Sequence, residues 1–489
     1  MSVKWASLTS ILAAIISALV AFLVFRFGIE FTGREVVGCW ALIQGAMIIV
    51  RLPDSGLATN ITRLVAIRRS EDRTPSLLRT FAAGFLVGNL PVVVIGALLI
   101  FPIQSYIDAK FSASISTKDS WDLLIAAYAS GVLTSISGVL LGILEGLGRL
   151  VPRNIVSIIA SIVMGITAYP LISIHGPAGL ALTGLVLGAV QIVLCLCYLL
   201  FRLKHSHQSS PSTTSIAQEL WRGSVDLTIV GVIRLTFEPA TKLFLSIFAS
   251  LDTLASFDLA LRVTTNMRAL IQAAIQPLFI VGSRASGNLS NNAAHLYRQS
   301  NAAIYQFSLI AAACQLAAAP IISEIGFGFA DLNFFGFFFI LVVANGINSI
   351  GAVGYYLKLS TPNIRPLLRL QFEMLLINLI GGFAGGAALG APMIVASYGL
   401  AFAYGGAVSL YFWLSHEHVK ILSFLIENTS KSAAICFASS AALYLIFWQM
   451  IIYGQPKHAA VLSIVGTTVA GGVVLKFAHG IRQSWLMVR

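Results

Sequence analysis

Between positions 155 and 201 the chain reads IVSIIASIVMGITAYPLIS, then IHGP, then AGLALTGLVLGAVQIVLCLCYLLF. Neither apolar run carries an Asp, Glu, Lys or Arg. Each is long enough to cross about 30 Å of hydrocarbon at a helical rise of about 1.5 Å per residue. Only four residues join them, and Arg153 and Arg202 stand just beyond the two far ends. This is the pattern of a transmembrane hairpin whose ends return to the same side of a bilayer.

Comparable runs fill the rest of the 489 residues, at 7–28, 36–66, 80–103, 121–145, 224–250, 254–282, 301–322, 334–357, 370–390, 393–414, 433–453 and 460–480. The composition agrees: 57% AVILMFWYC, 10% DEKR and a mean hydropathy of +0.87 are more apolar than a soluble core of this length can hide. The longest stretch between runs, Arg202 to Ser224, is short and Ser-rich, which leaves no room for an appended catalytic domain. The expected fold is an all-α polytopic membrane protein of about 14 transmembrane helices. The first run lacks a small-residue cleavage pattern and is read as a retained helix. Cys39, Cys195, Cys197, Cys314 and Cys436 all fall in apolar runs, where a thiol behaves as a small hydrophobe.

The basic residues orient the helices. Counted from a cytoplasmic N-terminus, alternate connections carry Lys4; Arg68, Arg69, Arg73 and Arg79; Arg149 and Arg153; Arg202, Lys204 and Arg222; Arg284 and Arg298; Lys358, Arg365 and Arg369; Lys420 and Lys431; Arg482 and Arg489. The opposite connections carry only Arg26, Arg34, Lys110, Lys118 and Lys457. Positive-inside topology then places both termini in the cytoplasm of a bacterial inner membrane, with an even number of spans. The net charge of +12 is thereby explained by topology, and no nucleic acid is expected as a partner.

Ionisable residues at membrane depth cost about 2.5–3.5 kcal/mol each on insertion scales and mark functional positions. In Val225-Asp-Leu-Thr-Ile-Val-Gly-Val-Ile-Arg-Leu-Thr-Phe-Glu-Pro-Ala-Thr-Lys242, the residues Arg234, Glu238 and Lys242 recur every four positions on one helical face, with Pro239 expected to kink the helix. The next span continues with Asp258 and Arg262, then Arg268, Gln272, Gln276 and Pro277. In the first half, Arg26 lies near the outer end of span one. Span two breaks at Arg51-Leu-Pro-Asp-Ser-Gly56 and is followed by Asn60 and Arg63. Mutual neutralisation accounts for any single pair. Across the set, however, Arg26, Arg51, Arg63, Arg234, Lys242, Arg262, Arg268 and Lys476 outnumber Asp54, Asp226, Glu238, Asp258 and Glu373. A surplus of cations invites an anionic substrate, and forked guanidinium donors suit a diphosphate. Glu145 with Arg149 reads as an interfacial pair, and Glu373 either packs against Arg365 or Arg369 or lines the cavity. His416-Glu-His418 has no further ligand near it in sequence, so no metal or other cofactor is expected.

Gly38-Cys-Trp-Ala-Leu and Ser256-Phe-Asp-Leu-Ala each follow a short outer turn and run toward a proline and then arginine, six helices apart. That spacing implies parallel repeats: an N-lobe (1–203, helices 1–6), a cytoplasmic inter-lobe loop (204–223), a C-lobe (224–420, helices 7–12) and a C-terminal helix pair (421–489). Parallel repeats place a substrate site between lobes and support alternating access, and glycine clusters such as Gly381-Gly-Phe-Ala-Gly-Gly386 permit the close packing this needs.

Three stretches resemble the polysaccharide (O-antigen type, Wzx-like) flippases of the multidrug/oligosaccharidyl-lipid/polysaccharide exporter superfamily. They are Gly38-Cys-Trp-Ala-Leu with Leu52-Pro-Asp-Ser-Gly-Leu-Ala-Thr-Asn-Ile-Thr-Arg63; Phe237-Glu-Pro-Ala-Thr-Lys-Leu-Phe-Leu-Ser-Ile-Phe248; and Ala260-Leu-Arg262 leading to Gln276-Pro277. The resemblance implies that an undecaprenyl-diphosphate-linked oligosaccharide is turned from the inner to the outer leaflet, held in a cationic cavity. By matched motif it implicates Arg63, Glu238, Lys242 and Arg262; charge placement alone adds Arg26, Arg51, Arg234, Asp258 and Arg268. A polysaccharide polymerase and chain-length proteins are the implied partners, beside membrane lipids. The chain departs from the pattern in placing Pro239 directly after Glu238, and no early helix carries a proton-coupling carboxylate.

A multidrug exporter of the same superfamily is expected to have 12 spans and a carboxylate in its first helix, where this chain offers Arg26. A lipid-linked peptidoglycan-precursor flippase shares the 14-span plan. A major-facilitator transporter would show a Gly-x-x-x-Asp basic motif after span two. A membrane glycosyltransferase or polysaccharide polymerase would carry a large outer loop, whereas Gln104 to Ser120 is short. No glycine-rich nucleotide site is present, so ATP hydrolysis is not expected and the chain is read as a non-enzyme.

The orientation has a direct check. A cytoplasm-active reporter inserted near Ser209 or at the C-terminus is expected to give full signal, and one inserted near Ser114 none; the reverse pattern would invert every assignment above.

Overall fold

In a computed structural model the described residues are 3–54, 57–70, 77–202, 213–284, 291–359, 365–416, 421–428 and 431–454, with 459, 463, 466 and 467. Among them every regular element is helical: α1 (Val3–Thr32), α2 (Arg34–Val50), α3 (Leu57–Ser70), α4 (Leu77–Gly84), α5 (Leu90–Phe111), α6 (Thr117–Gly146), α7 (Leu150–His175), α8 (Pro177–Arg202), α9 (Thr213–Phe248), α10 (Leu251–Arg284), α11 (Asn291–Phe327), α12 (Leu332–Ile350), α13 (Ala352–Leu359), α14 (Arg365–Leu389), α15 (Ala391–His416), α16 (Ile421–Asn428) and α17 (Lys431–Ile452).

Ten helical segments of the described residues are long and apolar enough to span a membrane, and the chain is a multi-pass membrane protein. The opening hairpin is α7 and α8, joined at Gly176, whose φ of +55° takes the left-handed conformation that closes the turn. The expected break in span two is a 3₁₀ turn, Leu52–Asp54, between α2 and α3. Pro53 supplies no N–H to an α-helical ladder there. Span three runs unbroken from α4 to α5 through a π-helical segment, Phe85–Asn89, which hydropathy does not announce.

The chain forms two compact units, Met1–Ala255 and Ser256–Arg489. In the first, α6 packs on α8 and α3, α1 on α7, and α2 on α9. α9 therefore groups with the helices that precede it, whereas the sequence suggested a lobe boundary at 204–223. Residues 213–223, read as loop, form the first turns of α9. Ile216 and Leu220, four apart, are buried against Leu64, Val65, Cys195 and Leu199, and that apolar pair is what makes the segment helical. In the second unit α14 packs on α15, α12 on α15 and α11, and α11 on α17. Tyr305 of α11, Leu410 and Leu414 of α15 and Phe424 of α16 form one of its cores. The last expected span, 460–480, with Lys457, Lys476, Arg482 and Arg489, lies almost wholly outside the described residues.

Helix contacts in the first unit depend on absent side chains. A Cβ on Gly38 of α2 would lie 2.0 Å from the carbonyl oxygen of Leu251, a backbone atom that cannot swing aside. Arg34 Nε, one turn earlier, reaches Asp252 Oδ1 at 3.5 Å and ties the same two segments. Gly38→Val is expected to cost about 1–3 kcal/mol of overpacking strain and to lower the melting temperature in detergent; an unchanged melting curve would show that the α2 contact at Leu251 is not tight.

Candidate functional site

The polar part of the first unit is built on α2, the 3₁₀ turn, α3 and α9. Gly45 of α2 faces the stem of Lys242: a Cβ there would lie 3.2 Å from Lys242 Cδ and 3.6 Å from Pro239 Cα. The missing side chain thus makes space for the lysine stem between the helices. Lys242 is 1% exposed, and its Nζ lies 2.7 Å from Glu238 Oε1, one turn earlier on α9. Glu238 keeps 34% of its side chain exposed. α9 passes through Pro239 as one helix, and Thr241 Oγ1 donates to the carbonyl of Phe237.

With Gly38 against Leu251 and Gly45 against Lys242, α2 and α9 run antiparallel. Continuing that register places the 3₁₀ turn level with residues near 234, and the turn does pack on α9. At the turn Arg51 Nε bonds Asp54 Oδ2 at 3.2 Å. A Cβ on Gly131 of α6 would lie 3.7 Å from Arg51 Cδ. Arg234 on α9 and Arg63 on α3 are exposed, and neither makes an ion pair among the described residues. Arg26 lies apart on α1 and is taken by Glu30, 3.7 Å away and four residues on, a partner that the sequence reading left out.

In the second unit Asp258, 2% exposed, holds Arg262 Nε at 2.5 Å on α10. A charge buried this deeply persists only when paired. Arg268 places its Cζ 4.9 Å from the centre of the Phe402 ring of α15, a cation–π contact, and Phe402 stacks on Tyr398 with centroids 4.6 Å apart. The side chains of Gln272, Gln276 and Pro277, and of Asp226, lie outside the description.

One interfacial pairing differs from the expectation, and another, Glu373 with Arg369, forms as one of its expected alternatives. Glu145 pairs with Arg153 Nε at 3.6 Å rather than with Arg149, because α7 starts at Leu150 and brings Arg153 round to α6. Glu373 takes both Arg369 Nε and the Tyr404 hydroxyl at 2.7 Å, so it joins α14 to α15. Sequence reasoning also passed over Asn89. It ends the π segment with 1% exposure, accepts from Ser135 of α6 through Oδ1, and leaves Nδ2 unpaired among the described residues. Its signal is an amide in the middle of an apolar run.

No family model and no curated protein sequence matches the chain. Its fold is nevertheless shared with three solved structures, one of them described as a transporter of the MOP superfamily. Lipid II flippase MurJ, in an inward closed conformation, superposes with a TM-score of 0.65 over 97% of this chain and 99% of its own, at 14% identity. A transporter of that superfamily from Pyrococcus furiosus gives 0.60 over 84% of this chain and 95% of its own, at 14% identity. A MATE in complex with MaD5 gives 0.62 over 84% and 94%, at 13% identity.

The Lys242 pair generates a test. Glu238→Ala leaves a buried ammonium without its carboxylate and is expected to destabilise the protein by about 1–3 kcal/mol, whereas Glu238→Leu with Lys242→Met is expected to recover most of that loss. Equal melting temperatures for wild type and Glu238→Ala would mean that the pair contributes nothing.

Proposed function

We propose that this chain is a flippase that turns an undecaprenyl-diphosphate-linked oligosaccharide from the inner to the outer leaflet by alternating access, for polysaccharide biosynthesis or export. The observation that carries the reading is uncompensated positive charge on one group of packed helices. Arg63 and Arg234 stand exposed on α3 and α9 without a carboxylate among the described residues, while Asp54, Glu238 and Asp258 are each already engaged. A diphosphate offers the acceptor oxygens that two free guanidinium groups lack. Arg51 and Lys242 lie in the same unit as these two, each already paired with a carboxylate, as is Arg26 on α1.

The extent of the structural likeness favours a lipid-linked substrate over a drug. The MurJ structure has a counterpart for 97% of this chain, the MATE structure for 84%. The same observation supports a second reading, a peptidoglycan lipid-precursor flippase. Fourteen spans follow if α2 with α3, α9, α10 and residues 460–480 join the ten apolar segments. Both termini then lie in the cytoplasm of a bacterial inner membrane, with lobes at 1–203 and 224–420 and a helix pair at 421–489. The reading makes the chain a transporter and not an enzyme, with polymerase and chain-length proteins as partners.

Deletion of the gene is expected to leave completed lipid-linked repeat units on the cytoplasmic leaflet and to remove surface polysaccharide, with restoration by the intact gene. Restoration by an Arg63→Ala, Arg234→Ala double variant, present at normal levels in the membrane, is expected to be weaker by about tenfold or more. Unchanged surface glycan on deletion sinks the polysaccharide reading; accumulation of peptidoglycan precursor instead establishes the second one.

A further inference from the structure

α11 carries three uncharged polar side chains seven residues apart: Asn301, Ser308 and Gln315. A spacing of seven keeps them on one face of the helix, within about 20° of each other per step. They are 0%, 2% and 8% exposed. Among the described residues Asn301 has no hydrogen-bond partner for Oδ1 or Nδ2, Ser308 none for Oγ, and Gln315 none for Oε1, its Nε2 donating back to the carbonyl of Ala311. Near the far end of α11, beyond Pro320, Gly326 meets α10: a Cβ there would lie 2.6 Å from Leu259 Cδ2.

α12 adds a fourth group. The contact of Phe327 with Phe334 sets α11 and α12 antiparallel, and that register brings Asn345 level with Gln315. Asn345 repeats its chemistry: Nδ2 donates to its own helix at Leu341, and the buried Oδ1 is unpaired among the described residues.

An unpaired amide or hydroxyl in an apolar interior costs about 1–3 kcal/mol by mutational measure, and four such side chains on two packed helices are not a packing accident. Their spacing and chemistry limit what they bind. Successive groups on α11 stand about 10 Å apart and the whole track is about 21 Å long, so one small molecule does not reach from end to end. The set mixes donors with acceptors and carries no charge, which fits neither the acceptor-only oxygens of a phosphate nor a cation. Hydroxyl groups donate and accept alike. We infer that this face of α11 is a binding track for the glycan of the substrate, separate from the cationic residues assigned to its diphosphate. The inference rests on the lipid-linked oligosaccharide reading above.

The test uses the full-length protein in nanodiscs with two probes: undecaprenyl diphosphate, and undecaprenyl diphosphate carrying N,N′-diacetylchitobiose. The variant is Asn301→Leu, Ser308→Ala, Gln315→Leu. Wild type is expected to prefer the glycosylated probe. In the variant that preference falls by about tenfold, the worth of one or two hydrogen bonds, while affinity for the bare probe holds. Its melting temperature is expected to stay level or rise, because unpaired polar groups have been replaced by apolar ones. A variant that melts lower and loses both affinities together shows a merely structural stripe and overturns the track. Unchanged preference in the variant, or equal binding of both probes by wild type, overturns it as well, the polar face then holding water alone. A wild type that binds neither probe refutes the lipid-diphosphate reading itself, and the track with it.

Discussion

The contact between Gly45 and Lys242 is the point on which the first unit turns. A lysine at membrane depth requires a carboxylate, a place for its stem and a neighbour close enough to exclude lipid. Glu238 supplies the first at one helical turn, and the bare Cα of Gly45 supplies the second. Once α9 is seated on α2 in this way, the 3₁₀ turn after α2 comes level with Arg234. Arg51 and Asp54 then lie beside α9, and the α9–α10 turn is drawn to Gly38 and Arg34. The polar group of the first unit is thus a consequence of one antiparallel helix contact.

Much of this was readable from residue order. The apolar runs locate the spans, Pro53 marks the break in span two, and the spacing of four in Glu238 to Lys242 and Asp258 to Arg262 foretells ion pairs that the structure forms. Partners on other helices were not readable. Arg153 reaches Glu145 only because of where α7 begins, and Tyr404 reaches Glu373 only because α14 and α15 pack. The helical start of α9 was hidden for a different reason: Ile216 and Leu220 are too few to register as an apolar run, although two residues suffice to bury one side of a helix. The stripe on α11 escaped because its three residues stand singly, seven apart, within an apolar run and leave the charge profile unchanged.

The two units differ in how they handle polarity. The first carries ion pairs on α1, α2 and α9, with Arg63 and Arg234 making none among the described residues. The second buries the Asp258–Arg262 pair on α10, sets Arg268 on an aromatic ring, joins α14 to α15 through Glu373, and lines α11 and α12 with buried amides and hydroxyls.

The burial of Lys242 also bears on how the protein is made. Among the described residues, α9 is not one of the segments apolar enough to span a membrane by composition. Left to partition alone from the translocon, a segment bearing Arg234, Glu238 and Lys242 favours water. Its counterpart α2 is synthesised about two hundred residues earlier, however, and already stands in the bilayer when α9 emerges. Insertion of α9 therefore becomes favourable only as a docking event onto a finished surface, and the order of synthesis is part of what allows this sequence to reach its membrane fold.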